Sequence, residues 1–194
     1  MLAALALLVL LFRGPRARAE RAPAPPPRIG IAVQVALENG QPVVDEAWVE
    51  AQIAAANRLF AAVPVVFYCV ETRPGRGYPA RLLTRRDRDA ALNRLRRGVV
   101  NLRIAAALMA VDEPGRVRRG VHWHLRADPA RRAVLLSAIA GPDILAHELG
   151  HFFGNGHSAV PDNLMSYTRS GGTVALDEAQ LAQTRRTLQQ LLRA

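Results

Sequence analysis

The sequence predicts one globular domain in which strands and helices are mixed, and three observations carry that expectation. The chain has 194 residues, enough for one domain with its own core at roughly 100 to 200 residues per domain. Half of the residues are hydrophobic, 22% are charged and the mean hydropathy is close to zero, a composition that fits a folded protein and excludes a disordered or membrane-embedded one. The apolar residues also change period along the chain, from two to about 3.6 and back, as strands and helices succeed each other.

The N-terminal residues read as a targeting segment outside the fold. Leu2 to Phe12 is an unbroken apolar run, too short to span a bilayer and suited to the core of a signal peptide, and Ala17-Arg18-Ala19 has the small-x-small form of a cleavage site. A signal peptide over 1–19, cut after Ala19, implies a secreted or periplasmic protein. One feature runs against the pattern: no basic residue precedes the apolar run, whereas Arg13, Arg16 and Arg18 follow it. Residues 20–28 contain APAPPP and form a stiff linker without core-forming side chains. The folded domain is expected over 29–194.

Ile29, Ile31, Val33, Val35 and Leu37 alternate as a strand with a buried face, and Asn39-Gly40 ends it in a turn. Val49, Ile53, Ala56 and Phe60 then fall at helical spacing, with Asp45 as cap and Pro64 as stop. VVFYCV at 65–70 reads as a second strand, in which Cys69 is a small buried hydrophobe. Residues 73–81 read as a loop. Thr84-x-x-Asp87 has the form of a capping box and opens an Arg-rich helix to about Gly98. Val100 to Leu108 alternates as a third strand, Val121 to Leu125 is a short edge strand, and Ala133 to Ile139 is a buried strand. A helix follows Gly141-Pro142, and a last helix over 177–192 carries Leu181, Thr184, Leu188 and Leu191 on one stripe.

Composition bounds the chemistry. One cysteine excludes an internal disulfide framework and any zinc site built from several thiolates, so a metal has to sit on histidine or carboxylate. The net charge is +10, and every one of the 26 basic residues is arginine. Residues 73–132 hold 16 of these against five acids. That segment reads either as a solvated face or as a surface for an acidic substrate or an anionic polymer, since charge patterning speaks to association more than to fold.

Residues 147–167 concentrate the candidate functional groups. His147 and His151, four apart on a helix, project from one face and can bind one ion. Glu148 lies beside them, where a general base belongs. Gly154 ends the helix and turns the chain so that His157 supplies a third ligand, and three histidines leave a fourth position open, as in catalytic rather than structural zinc sites. Chance placement of H-E-x-x-H-x-x-G-x-x-H in this composition has a probability on the order of 10⁻⁵. His122 and His124 share one face of the edge strand and are candidates for a second metal, for substrate contact or for plain solvated surface, with Trp123 turned to the core.

The run from His147 to His157, followed by Asn163-Leu164-Met165-Ser166-Tyr167, resembles the signature of the metzincin zinc metallopeptidases, the second stretch being similar to their Met-turn. Ser158 and the step from His157 to Met165 are similar to the matrixin branch, whereas Met-Ser-Tyr looks like the branches in which a tyrosine approaches the zinc. The resemblance implies an α+β domain with a twisted mixed sheet, a long helix, an active-site helix and a C-terminal helix. Its upper part would span about 29–154 and its lower part about 155–194.

The resemblance further implies a monomeric zinc endopeptidase with one Zn2+ held by His147, His151 and His157. Glu148 would be the general base toward a zinc-activated water, Tyr167 an oxyanion donor and Met165 a packing residue under the ligands. The substrate would be a protein or peptide lying along the edge strand, with no specific nucleic acid and no membrane span. Two alternatives stand beside it: a binding module that keeps the zinc fold without catalysis, and a zinc hydrolase of a non-peptide amide.

Overall fold

The computed structural model describes residues 25–193, so the leader expected over 1–19 lies outside the described residues. Strand β1 (Arg28–Val35) starts one residue before the expected boundary. A tight turn through Asn39 and Gly40, both at positive φ, joins β2 (Leu37–Glu38) to β3 (Gln41–Pro42). Helix α1 (Glu46–Leu59) is capped by Asp45, whose carboxylate accepts from the Trp48 N–H at 2.8 Å.

Strand β4 (Val66–Pro74) runs four residues beyond the expected end, because its whole length pairs with β1. Then come β5 (Arg81–Leu82), α2 (Arg85–Ala91), β6 (Val100–Ala105) and β7 (Ala107–Leu108). The capping box at Thr84 and Asp87 forms, but α2 stops near Leu92 rather than Gly98, and Arg94 takes a positive φ. The third strand breaks at Ala106, because β7 leaves the main sheet to pair with β5, a short partner that the alternation did not suggest. Strands β8 (Gly120–His124) and β9 (Arg132–Ser137) precede α3 (Ile144–Phe152), and α4 (Glu178–Leu191) ends the chain.

The main sheet has the order β4-β1-β6-β9-β8, parallel except for β8, which lies antiparallel at one edge. This is a mixed α+β domain. Alternate residues of β9 feed two cores: Val134 and Leu136 meet α1, α3 and α4, while Ala133 and Leu135 meet α2, β5 and Trp123. In the first core Phe60, Phe67 and Phe153 pack with ring centroids 5.4 to 6.2 Å apart, and burying each such ring stabilises by about 1.5–3 kcal/mol. Trp123 is buried as expected, and Leu181, Thr184 and Leu188 are buried on α4, whereas Leu191 is exposed.

Cys69 departs from its reading. It is exposed, with Sγ 3.5 Å from Thr72 Oγ1, because β4 is the other edge of the sheet and Cys69 opens onto a surface groove beside Val35 and Val44. The Arg-rich stretch is only partly a solvated face, since Arg88 and Arg103 are 3% and 1% exposed. No described helix is long and apolar enough to cross a membrane.

Two polar side chains of α1 hold the rest in place. Asn57 donates to the Phe67 carbonyl at 3.0 Å and accepts its N–H at 2.8 Å, pairing backbone groups of the edge strand β4. Gln52 donates to the Gly141 carbonyl at 2.8 Å and accepts from the Leu145 N–H at 3.2 Å. Asp143 gives α3 no side-chain cap, so Gln52 satisfies one of its free N–H groups.

Candidate metal centre and active-site cleft

Helix α3 carries His147, Glu148 and His151, and its end is built by Gly154. At φ +90 this glycine closes a two-bond C-cap: its N–H reaches the His151 carbonyl at 2.9 Å and the Asn155 N–H reaches Gly150 at 3.0 Å. A side chain at 154 would strain that backbone. The chain therefore reverses, and Asn155, buried, donates to Thr184 Oγ1 at 3.0 Å, fastening the turn to α4.

His157 follows on the reversed segment, tied down by the Ser158 N–H to the Met165 carbonyl at 3.0 Å. Met165 is fully buried, and it lies so close under Gly150 that a Cβ there would overlap its sulfur.

The three imidazoles expected from sequence converge. One nitrogen of each of His147, His151 and His157 lies within 4.8 Å of the others. His147 Nδ1 lies 2.8 Å from the Leu164 carbonyl and His151 Nδ1 lies 2.9 Å from the Asn155 carbonyl. A carbonyl only accepts, so both Nδ1 atoms carry the proton and both Nε2 lone pairs point inward. His151 Nε2 is 3.1 Å from His157 Nε2. Ligand nitrogens at about 2.0–2.1 Å from a tetrahedral zinc are separated by roughly 3.3 Å, so this donor set fits that ion. Burial lowers the pKa of all three, that of His151 to about 4, which keeps them neutral and able to ligate near pH 7.

Glu148 is 5% exposed, and its Oε2 has no hydrogen-bond partner. Burial pushes its carboxyl up to about 8 despite a hydrogen bond from the His122 backbone and the charges of Arg118 and Arg88. An orphaned buried acceptor beside three converging imidazoles, two of them with inward lone pairs, is the second sign that the site suits a cation. Tyr167 is 69% exposed, so its ring does not serve the core, and its hydroxyl lies 2.7 Å from His157 Nε2.

The cleft over these groups has a volume of about 830 Å³ and is bordered by the edge strand β8. His122 and His124 lie 6.4 Å apart between ring centroids, and among the described residues no third ligand joins them. His122 is not solvated surface: its ring packs against Phe152, its Nε2 is shut off from solvent, and burial pushes its pKa down to about 4.

Sequence reasoning missed the residues that brace the Met165 loop. Arg169 donates to the Ser166 carbonyl at 2.7 Å and the Asn163 carbonyl at 3.2 Å and pairs with Asp143 at 3.0 Å, joining the loop to the start of α3. Asn163 accepts from the Met165 N–H at 2.8 Å and donates to Gln180 of α4 at 2.9 Å. The bonds to Asp143 and Gln180 join segments remote in sequence and leave no local pattern.

No family model and no curated protein matches the sequence. Solved structures do match the fold. Metalloproteinase-II from Bacteroides fragilis superposes with a TM-score of 0.59 at 15% identity, covering 84% of this chain and 53% of its own, so this chain spans about half of that protein. Mirolysin in complex with a small compound gives 0.62 at 11% identity, covering 84% of this chain and 91% of its own. Archaemetzincin from Methanopyrus kandleri gives 0.55 at 17% identity, covering 84% and 96%. With a five-stranded mixed sheet, an antiparallel edge strand over the cleft and three histidines gathered at the end of α3, the chain has the fold of the metzincin-type metalloproteinases.

Proposed function

We propose that this protein is a zinc-dependent endopeptidase. The observation that carries the reading is the convergence of three neutral imidazoles, two with their protonated nitrogens fixed by backbone carbonyls, beside a buried carboxyl with a free oxygen. His147, His151 and His157 would hold one Zn2+, which when bound supplies Lewis acidity toward a carbonyl and toward water.

Glu148 accepts a proton from the attacking water and delivers it to the leaving amine. Its carboxyl sits near neutrality, where both transfers are accessible, and a cation beside it draws its pKa down toward the basic form. The Tyr167 hydroxyl, already within the ligand group, donates to the oxygen that becomes negative. Strand β8, at the edge of the sheet, offers unpaired backbone groups to an extended peptide.

A binding module with the same ligands is the second reading. Glu148 weighs against it, because a buried carboxyl with an unpaired oxygen costs stability that a purely structural metal site has no use for. Glu148→Ala tests the proposal: peptide hydrolysis should disappear while zinc content stays near one per chain, and His157→Ala should lose the zinc itself. Hydrolysis retained in Glu148→Ala would refute the mechanism.

A further inference from the structure

The cleft over the imidazoles is bordered by six arginines: Arg85, Arg88, Arg116, Arg118, Arg119 and Arg169. Three of them are neutralised locally. Arg169 pairs with Asp143 at 3.0 Å, Arg116 with Glu113 at 2.5 Å, and Arg118 with Glu113 at 2.6 Å and Asp112 at 3.7 Å. Arg85, Arg88 and Arg119 form no ion pair among the described residues. The remaining carboxyl of the cleft, Glu148, is buried at its floor.

Two of the unmatched guanidinium groups are held in place. Arg85 and Arg88, three apart on α2, lie over the one indole of Trp123 at 4.8 and 4.7 Å from its centroid. The indole is fixed in turn, since its Nε1 donates to Asp89 at 2.9 Å. Arg88 is almost wholly buried, and although it donates to the Met109 carbonyl, its Nε has no partner. Arg88 is thus enclosed, whereas Arg85 is only partly buried; a stacked guanidinium at the surface keeps its N–H edge free for planar anions, and an ordered fork loses little entropy on pairing with a carboxylate.

Strand β8 relates these groups to the reacting centre. At Gly120 it passes directly over Glu148, where a Cβ would come within 2.9 Å of Glu148 Cγ. Trp123 is three residues further along, about 10 Å at 3.3 Å per residue, and Arg119 flanks Gly120 on the other side. A peptide extended along β8 advances by the same step.

Resting on the peptidase reading above, we infer that the substrate is an acidic peptide, with an Asp or Glu side chain about three residues from the scissile bond received by Arg85 on Trp123, and a second carboxylate beside the bond received by Arg119.

The test uses the full chain and two labelled peptides identical except for Glu or Gln at those positions. Binding is read by fluorescence anisotropy and cleavage separately by mass spectrometry. At low salt the Glu peptide should bind at least about tenfold more tightly, and the ratio should shrink toward one as salt rises from about 0.05 to 0.5 M. Arg85→Gln combined with Arg119→Gln should bring the ratio near one while affinity for the Gln peptide holds; Arg119→Gln alone, in an exposed position, should lower it in part.

Equal binding of the two peptides at low salt overturns the inference, and so does a ratio untouched by the substitutions. Discrimination absent between peptides but strong for a sulfated polysaccharide overturns it in favour of a polymer surface. Selective binding of the Glu peptide with neither peptide cleaved supports this inference and overturns the peptidase reading, so the two failures are told apart.

Discussion

Gly150→Ala tests how the floor of the metal centre is built. At an ordinary position inside a helix this change stabilises by about 1 kcal/mol, since alanine is the better helix former. Here the new Cβ would overlap Met165 Sδ and come within 3.1 Å of its Cε. Met165 is enclosed, with no exposed surface into which to retreat. Overpacking of this kind costs about 1–3 kcal/mol, so with about 2 taken against the helix gain of about 1 the net effect is a loss of roughly 1 kcal/mol. For a domain of this size that lowers Tm by about 2–4 °C.

The same displacement should reach the ligands, because the Met165 carbonyl holds the Ser158 N–H beside His157 and the neighbouring Leu164 carbonyl holds His147 Nδ1. Loss of such support costs about 10- to 100-fold in metal affinity. The assays are thermal unfolding of the metal-stripped chain and a zinc titration with a competing chelator. Adding Met165→Ala should give back the lost space and restore zinc affinity in part. A rise in Tm for Gly150→Ala, with zinc affinity unchanged, would refute the account, because it is the outcome for a glycine with open space above it.

Two further predictions concern the groups around the ligands. Tyr167→Phe removes only the hydroxyl that lies 2.7 Å from His157 Nε2; kcat should fall by about 10² to 10³ with zinc content and Tm unchanged, and a change within about twofold would remove Tyr167 from the active site. In the metal-stripped chain the Glu148 carboxyl is raised from 4.5 to about 8 by burial, so its neutral form favours the fold and stability drops as pH climbs toward 8. His122 has the opposite sign: lowered from 6.5 to about 4, it favours the fold above 6.5 and loses that contribution as pH falls toward 4. Chemical denaturation across pH 6.5–8.5 should show a decline that Glu148→Gln flattens, and a decline of the same slope in that variant would rule out Glu148 as its source.

The sequence by itself determined what depends on near neighbours along the chain. His147 and His151 share a helix face because four residues make about one turn, Gly154 stops α3 because glycine readily takes a positive φ, and Asp45, Thr84 and Asp177 cap their helices by bonds reaching three residues ahead. The signature from His147 to Tyr167 was legible for the same reason, and with it the fold class and the three histidines that the fold brings together. The end of α2, the break after Ala105 and the separate pairing of β7 with β5 were not, because a strand or helix ends where its tertiary partner does and no local pattern records that.

Burial was decided in the same way. Cys69 looks apolar in its own segment and is exposed because β4 became an edge, whereas Arg88 and Arg103 look like surface and are enclosed. Gln52 and Arg169 carry no signal, and Asn155 and Asn163, although inside the signature, carry none of their bracing role, since their bonds to Gly141, Asp143, Thr184 and Gln180 around the candidate metal centre exist only in the folded chain. Which arginines of the basic middle segment face the cleft without a carboxylate is of this kind too: composition supplies the charge, and packing against Trp123 and the edge strand decides where it is left unmatched.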